Sequence, residues 1–163
     1  IGDPSEVLAN MRNKIIESLN DHASKTNNKD GMDMALCKLN LKTRVLEYSG
    51  ANNPLIHISG EELNYVKGNS QPVGLSVIDN KPFTNHKLKL KKGYMIYIYS
   101  DGYQDQFGGP KGKKYMVKRF KTFLKEMSKL TIDEQRVKVQ EEFHDWKGKH
   151  DQVDDICVMG IRV

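Results

Sequence analysis

Residues 94–109 read YMIYIYSDGYQDQFGG. Six apolar or aromatic residues, Tyr94 to Tyr99, run without interruption and stop at Ser100, Asp101 and Gly102. A run of that length bounded by turn residues predicts a deeply buried strand. Asp-Gly is also a common turn dipeptide. With 12 Asp and 13 Gly in 163 residues, about one such pair is expected by chance, and two occur, Asp30-Gly31 and Asp101-Gly102. The dipeptide alone decides nothing; what the rest of the chain sets beside it does.

The natural neighbour is the C-terminal run at 156–163, which Asp154 and Asp155 introduce and which also predicts a buried strand. If the two runs are adjacent and antiparallel, Asp101 and Asp154 meet at one rim of a sheet. Close carboxylates repel unless protonated or bridged by a cation. Oxygen-only donors of this kind suit Mg²⁺ or Mn²⁺ rather than zinc. Two unrelated aspartates capping strand ends would give the same spacing, and the spacing leaves both readings open.

The chain opens with IGDPSEVLANMRNKIIESLNDH, which carries helix start signals. Asp3 can cap, Pro4 suits the first helical position and Glu6 completes a capping-box spacing. Val7, Met11, Ile15 and Leu19 form the expected apolar stripe. After the polar loop SKTNNKDG come four short strand candidates, MDMALCKLN, TRVLEYSG, PLIHISG and ELNYVKG, in the pattern of an antiparallel meander. HKLKLKKG alternates as a half-exposed strand. Beyond QFGGPKGKK, Met116, Phe120, Phe123 and Met127 mark a helix. A second begins at Thr131 with Glu134 three residues on, turns Val139, Phe143 and Trp146 inward, and stops at Gly148.

Length predicts one domain, and 37% apolar with 29% charged residues fits a globular protein. No apolar run approaches the roughly 20 residues of a membrane span. The net charge of +5 comes largely from Lys87–Lys92 and Lys111–Lys125. The second group falls on a polar helix face, without aromatic interleaving or zinc-finger spacing, so no nucleic-acid partner is expected. Cys37 and Cys157 sit in apolar runs and read as reduced, buried thiols of a cytosolic protein. The five histidines show no paired ligand spacing. Neither Ser49 nor Ser100 lies in a nucleophile elbow. GGPKGKK lacks Walker spacing and reads as a mobile, basic flap.

Six strings, in order, carry a resemblance: DGMDMALCKLN, LEYSGANNPLIHI, GNSQPVGL, YIYSDGYQDQFGG, GKKYMVKRF and QVDDICVMGIRV. Together they resemble the bacterial SpoIIE/RsbU-like serine/threonine phosphatases, the bacterial branch of the metal-dependent PPM phosphatases. They are most similar to the subgroup with Gly-Ala-Asn-Asn-Pro in place of Ala-Gly-His-x-Pro. The resemblance implies an α+β fold, part of an αββα sandwich of two mixed sheets flanked by helices, with a two-metal Mn²⁺ or Mg²⁺ centre. It places metal ligands at Asp101 and Asp154. Gly102 then allows a tight turn and Asp155 supports it, with a swapped register of Asp154 and Asp155 left open.

The implied activity is hydrolysis of phosphoserine or phosphothreonine by a metal-activated water. The implied substrate is a regulatory phosphoprotein such as an anti-sigma-factor antagonist, with an upstream sensor in the parent. The family's two further acidic motifs, Gly-Asp-Phe-Tyr-like and Asp-x-x-Gly-His-Gly-like, do not occur in these residues; Asp30-Gly31-Met32-Asp33 matches a different family string. Residues 1–163 are therefore expected to be the C-terminal portion of one phosphatase domain, weakly active or inactive alone and able to self-associate through exposed edges. The parent would be cytosolic or a membrane-anchored sensor's cytosolic domain. The alternative is a non-catalytic module that keeps the fold and binds a phosphoprotein.

Overall fold

The computed structural model describes residues 2–20, 31–75 and 81–163. In chain order the elements are α1 (Pro4–Asn20), β1 (Gly31–Met32), β2 (Met34–Asn40), β3 (Val45–Ala51), β4 (Leu55–Ser59), β5 (Glu62–Val66), β6 (Val73–Gly74) and β7 (His86–Lys89). They continue with β8 (Met95–Tyr99), α2 (Gly102–Asp105), β9 (Phe107–Gly108), β10 (Lys113–Lys114), α3 (Val117–Met127), α4 (Ile132–Lys147) and β11 (Val158–Arg162). Contacts divide the chain into two compact units: Ile1–Leu55 with Val66–Lys91, and Ile56–Tyr65 with Lys92–Val163. Among the described residues, no helix is long and apolar enough to cross a membrane.

In the first unit, α1 starts as its sequence dictates. Asp3 Oδ1 accepts the N–H groups of Ser5 (3.0 Å) and Glu6 (3.1 Å), and Glu6 Oε2 accepts the Asp3 N–H at 3.1 Å. That reciprocal pair satisfies donors the first turn leaves without helical partners. The buried stripe is turned one residue from the expected one. Leu8 is fully buried with Met11 and Ile15 beside it, whereas Val7 is only half-buried. Arg12 completes the stripe by lying over the Phe83 ring at 4.9 Å and donating to the Lys81 carbonyl at 3.0 Å. A guanidinium can do this because its charge stays hydrogen-bonded while its stem packs. The end of the predicted helix, and all of SKTNNKDG but Gly31, fall outside the described residues.

The three-stranded sheet of this unit runs β2-β3-β7, antiparallel throughout, from Met34↔Ala51 to Asn40↔Val45 and from Val45↔Lys89 to Tyr48↔His86. The expected four-strand meander does not form. β4 and β5 join a different sheet, because the chain after Ala51 is diverted at GANNP. Asn52 takes a left-handed φ of 57°, and its N–H bonds the Asn69 carbonyl while the Asn69 N–H bonds the Gly50 carbonyl, both at 2.8 Å. The strings GANNPLIHI and GNSQPVGL are thus stitched to one another. Asp33 has a structural place here, accepting from Asn52 Nδ2 at 2.7 Å.

The second unit holds a four-stranded sheet in the order β11-β8-β4-β5. β8 is an inner strand, and Met95, Ile96, Tyr97 and Tyr99 are almost wholly buried, as the opening run predicts. The final strand does not follow expectation. β11 is an edge strand among the described residues, with Met159 49% and Ile161 37% exposed, although its sequence is nearly as apolar. An apolar run reports affinity for a core, not which position in the sheet order the strand occupies.

Helices α3 and α4 bring Phe120, Leu124, Met127 and Phe143 onto a core shared with Ile56, Ile58, Tyr97, Tyr99, Tyr103 and Tyr115. Leu124 takes the place expected of Met116, which is 58% exposed just before the helix begins. α4 begins with the predicted capping box: Thr131 Oγ1 accepts the Glu134 N–H at 3.3 Å and Glu134 Oε2 accepts the Thr131 N–H at 2.8 Å. It ends at Gly148, whose N–H bonds the His144 carbonyl.

Candidate functional site

Asp101 stands between β8 and the short helix α2, and it is exposed, as are Asp154 and Asp155. β8 and β11 pair antiparallel from Met95↔Arg162 to Tyr99↔Val158, so the end of one lies beside the approach to the other. Ser100 extends the ladder. Its N–H bonds the Cys157 carbonyl at 3.0 Å, its hydroxyl donates to the Asp155 carbonyl at 2.9 Å, and the same hydroxyl accepts the Cys157 N–H at 2.9 Å. The backbones of the Ser-Asp-Gly and Asp-Asp segments are therefore joined by one serine side chain.

Gly102 is buried where this junction is tightest: a Cβ there would collide with the Asp155 carbonyl oxygen and crowd Ile156. The sequence explains this glycine by a tight turn, but the structural requirement is close backbone approach. Asp155 turns its N–H to Asp154 Oδ1 at 2.7 Å and its carbonyl to Ser100. It thereby shapes the turn through its backbone.

Exposed carboxylates at a rim of fixed backbone are suitable donors for a hard divalent cation. Among the described residues, however, no group of three or more His, Cys, Asp or Glu side chains is placed to hold an ion. Among the described residues, Asp101 and Asp154 are the pair that the family resemblance singles out, and a two-metal centre needs donors in addition to them. A cleft of about 500 Å³ between α4 and β11 is lined mainly by apolar residues such as Val139, Ile156 and Val158, with Gln135, Arg136 and Gln140 among them, and does not include either aspartate.

Beyond Asp101 the structure replaces the expected mobile flap with a built hairpin. β9 and β10 pair antiparallel, Phe107 with Lys114 and Gly108 with Lys113. The Gly109 N–H bonds the Trp146 carbonyl at 2.7 Å and the Trp146 indole N–H bonds the Gln106 carbonyl at 2.9 Å. Arg119 lies 4.3 Å from the Trp146 ring and pairs with Glu142 at 3.1 Å, so this basic residue packs while it is solvated.

The cysteines divide. Cys37 is half-buried rather than fully buried, and desolvation pushes its thiol up to about 11, whereas Cys157 is exposed, contrary to expectation; both are free thiols. Cys157 lies just before β11, which is an edge strand among the described residues. His57 stays in its strand, with burial lowering its imidazole below the ordinary value against the opposing pull of Glu62. The sequence offers Ser100 only as a nucleophile, gives no sign of Gln106, and marks Trp146 as an inward helix residue, which it is, without its hydrogen bonds to the 106–109 segment. Their roles lie in contacts 40 to 57 residues away along the chain, which no local pattern announces.

The family model for Stage II sporulation protein E (SpoIIE) matches residues 3–163. No curated protein matches the chain. Among solved structures, the SiaA-PP2C domain of Pseudomonas aeruginosa is 27% identical with a TM-score of 0.85, over 99% of this chain and 61% of that one. The phosphatase domain of the cell fate determinant SpoIIE from Bacillus subtilis, Mn presoaked, is 17% identical with a TM-score of 0.60, over 100% and 74% of the two chains. RsbX in complex with magnesium is 20% identical with a TM-score of 0.55, over 98% and 75%. The α+β architecture is thus that of the PP2C-type phosphatase domains. The chain belongs to the SpoIIE family. It spans 61% of the SiaA domain it matches.

Proposed function

We propose that this chain supplies the C-terminal portion of a metal-dependent phosphatase domain that removes phosphate from phosphoserine or phosphothreonine of a regulatory protein. Asp101 and Asp154 hold a Mn²⁺ or Mg²⁺ ion in the complete domain, with further donors from outside these residues. The observation that carries this reading is the β8–β11 pairing, which joins the Ser-Asp-Gly and Asp-Asp segments through Ser100. When bound, divalent ions supply Lewis-acid charge that acidifies water and neutralises phosphoryl oxygens. The chain's own contribution is positional: an inner strand, β8, presents Asp101 from a rigid support, and Gly102 lets the Asp155 turn approach it. A phosphorylated partner protein is the substrate class this family membership favours.

The test is hydrolysis of p-nitrophenyl phosphate against Mn²⁺ concentration, for this chain and for the full-length protein. Activity in the full-length protein that Asp101→Asn abolishes, with little in residues 1–163 alone, is the expected result. Silence of the full-length protein at saturating Mn²⁺ would favour a phosphoprotein-binding module that retains the fold. Turnover by residues 1–163 equal to that of the full-length protein would refute the division of the site.

A further inference from the structure

The segment carrying Asp154 has little regular structure of its own. Residues 151–155 are exposed and precede the first ladder residue of β11, Val158. Its local side-chain bonds, Gln152 Nε2 to the Asp154 carbonyl at 2.9 Å and the Asp155 N–H to Asp154 Oδ1, tie it only to itself. Two side chains from the segment carrying Asp101 anchor it on either side. Ser100 holds Asp155 and Cys157, as described.

Gln106 holds the other side. It is 0% exposed, and its Nε2 donates to the Asp151 carbonyl at 2.8 Å and to the Phe107 carbonyl at 3.0 Å. Its Oε1 accepts the Val153 N–H at 3.4 Å. Only an amide presents two donors and an acceptor at one planar end, which is what this clasp uses. Gln106 is itself fixed, since its backbone carbonyl accepts from the Trp146 indole at 2.9 Å and from the Tyr115 N–H at 3.0 Å. A buried amide with both ends occupied is costly to disturb, because each removed partner leaves a buried group unsatisfied.

We propose that Gln106 is a positioning residue for Asp154: its buried amide clasps residues 151 and 153 to the base of the 107–114 hairpin. With Ser100 on the far side, it sets where the Asp154 carboxylate stands relative to Asp101. This rests on the reading of Asp154 as a metal ligand given above. Groups that orient a ligand without touching the ion commonly change metal affinity about 10- to 100-fold when removed.

The experiment uses the full-length protein and two readouts, Mn²⁺ affinity from the electron paramagnetic resonance of free Mn²⁺ and amide hydrogen exchange. Wild type and Asp154→Asn come first. If wild type binds no Mn²⁺, or Asp154→Asn binds it equally well, the ligand assignment fails and the proposal fails with it, before any Gln106 variant is compared. Gln106→Met keeps the side-chain volume and removes both hydrogen-bonding ends. It is expected to weaken Mn²⁺ binding about tenfold or more and to speed exchange across 151–155 while Met95–Tyr99 stays protected. Gln106→Asn keeps the amide's donors and acceptor but draws them back by one methylene, and should fall between wild type and Gln106→Met. It carries the comparison if Gln106→Met does not fold. Unchanged Mn²⁺ affinity in the folded variant, or exchange at 151–155 equal to wild type, would overturn the proposal.

Discussion

At Gly102 the chain passes so close to the Asp155 carbonyl that one methyl group decides whether the two acidic segments can meet. Gly102→Ala is therefore expected to destabilise the protein by about 1–3 kcal/mol, the usual cost of forcing extra volume into a closed contact. Urea denaturation checks this; a loss within about 0.5 kcal/mol, typical of an unconstrained surface site, would mean that the approach is not as close as described. The residue scale is also where the acidic site was most legible. Asp101 follows one apolar run and Asp154 precedes another, and the pairing of those runs is what the structure shows; their role as ligands is part of the proposal. Gln106 was not legible, because a glutamine after a turn resembles any polar loop residue until its partners at 151 and 153 are known.

Elements with local causes follow their sequence closely. Both capping boxes form, at Asp3 with Glu6 and at Thr131 with Glu134. Thr131→Ala should remove about 1 kcal/mol of stability, measured as a lowered urea midpoint with the denaturant slope unchanged. A change within error would show that α4 is held by Phe143 and Gln135 packing alone. Elements whose identity depends on distant partners were less legible. The meander expected from four consecutive strands divides between two sheets, because hairpin pairing is local but sheet membership is not. The burial expected for β11 is absent for the same reason, since Met159 and Ile161 lie on a strand with one paired neighbour among the described residues. The hairpin at 107–114 was hidden by its lysines and glycines, whose composition suits a loose flap until Trp146 is brought alongside.

For the whole molecule, the distribution of carboxylates sets the response to pH. Asp3 is held below its ordinary value by the Ser5 hydroxyl and Glu6 N–H, Glu47 by Lys87, Glu61 by Lys129 and then Lys125, and Glu134 by Thr131. Each lowered group favours the folded state above its ordinary value, 3.8 for aspartate and 4.5 for glutamate, and loses that contribution as pH falls through its lowered one. The melting temperature is expected to be flat with respect to these groups from neutral pH to about 5 and to fall below that. Salt should weaken the effect, since these pairs lie at the surface. Calorimetry across the acid range checks this, and a flat profile to pH 3 would contradict it. The chain also contains a single tryptophan. Its indole N–H is bonded to the Gln106 carbonyl, its ring packs edge-on to Tyr115 at 5.2 Å, and a guanidinium lies against its face. With excitation beyond the tyrosine band, emission from residues 1–163 therefore comes from one indole, hydrogen-bonded to the residue whose amide clasps the Asp154 segment, and its colour and polarisation report the state of that junction without any added label.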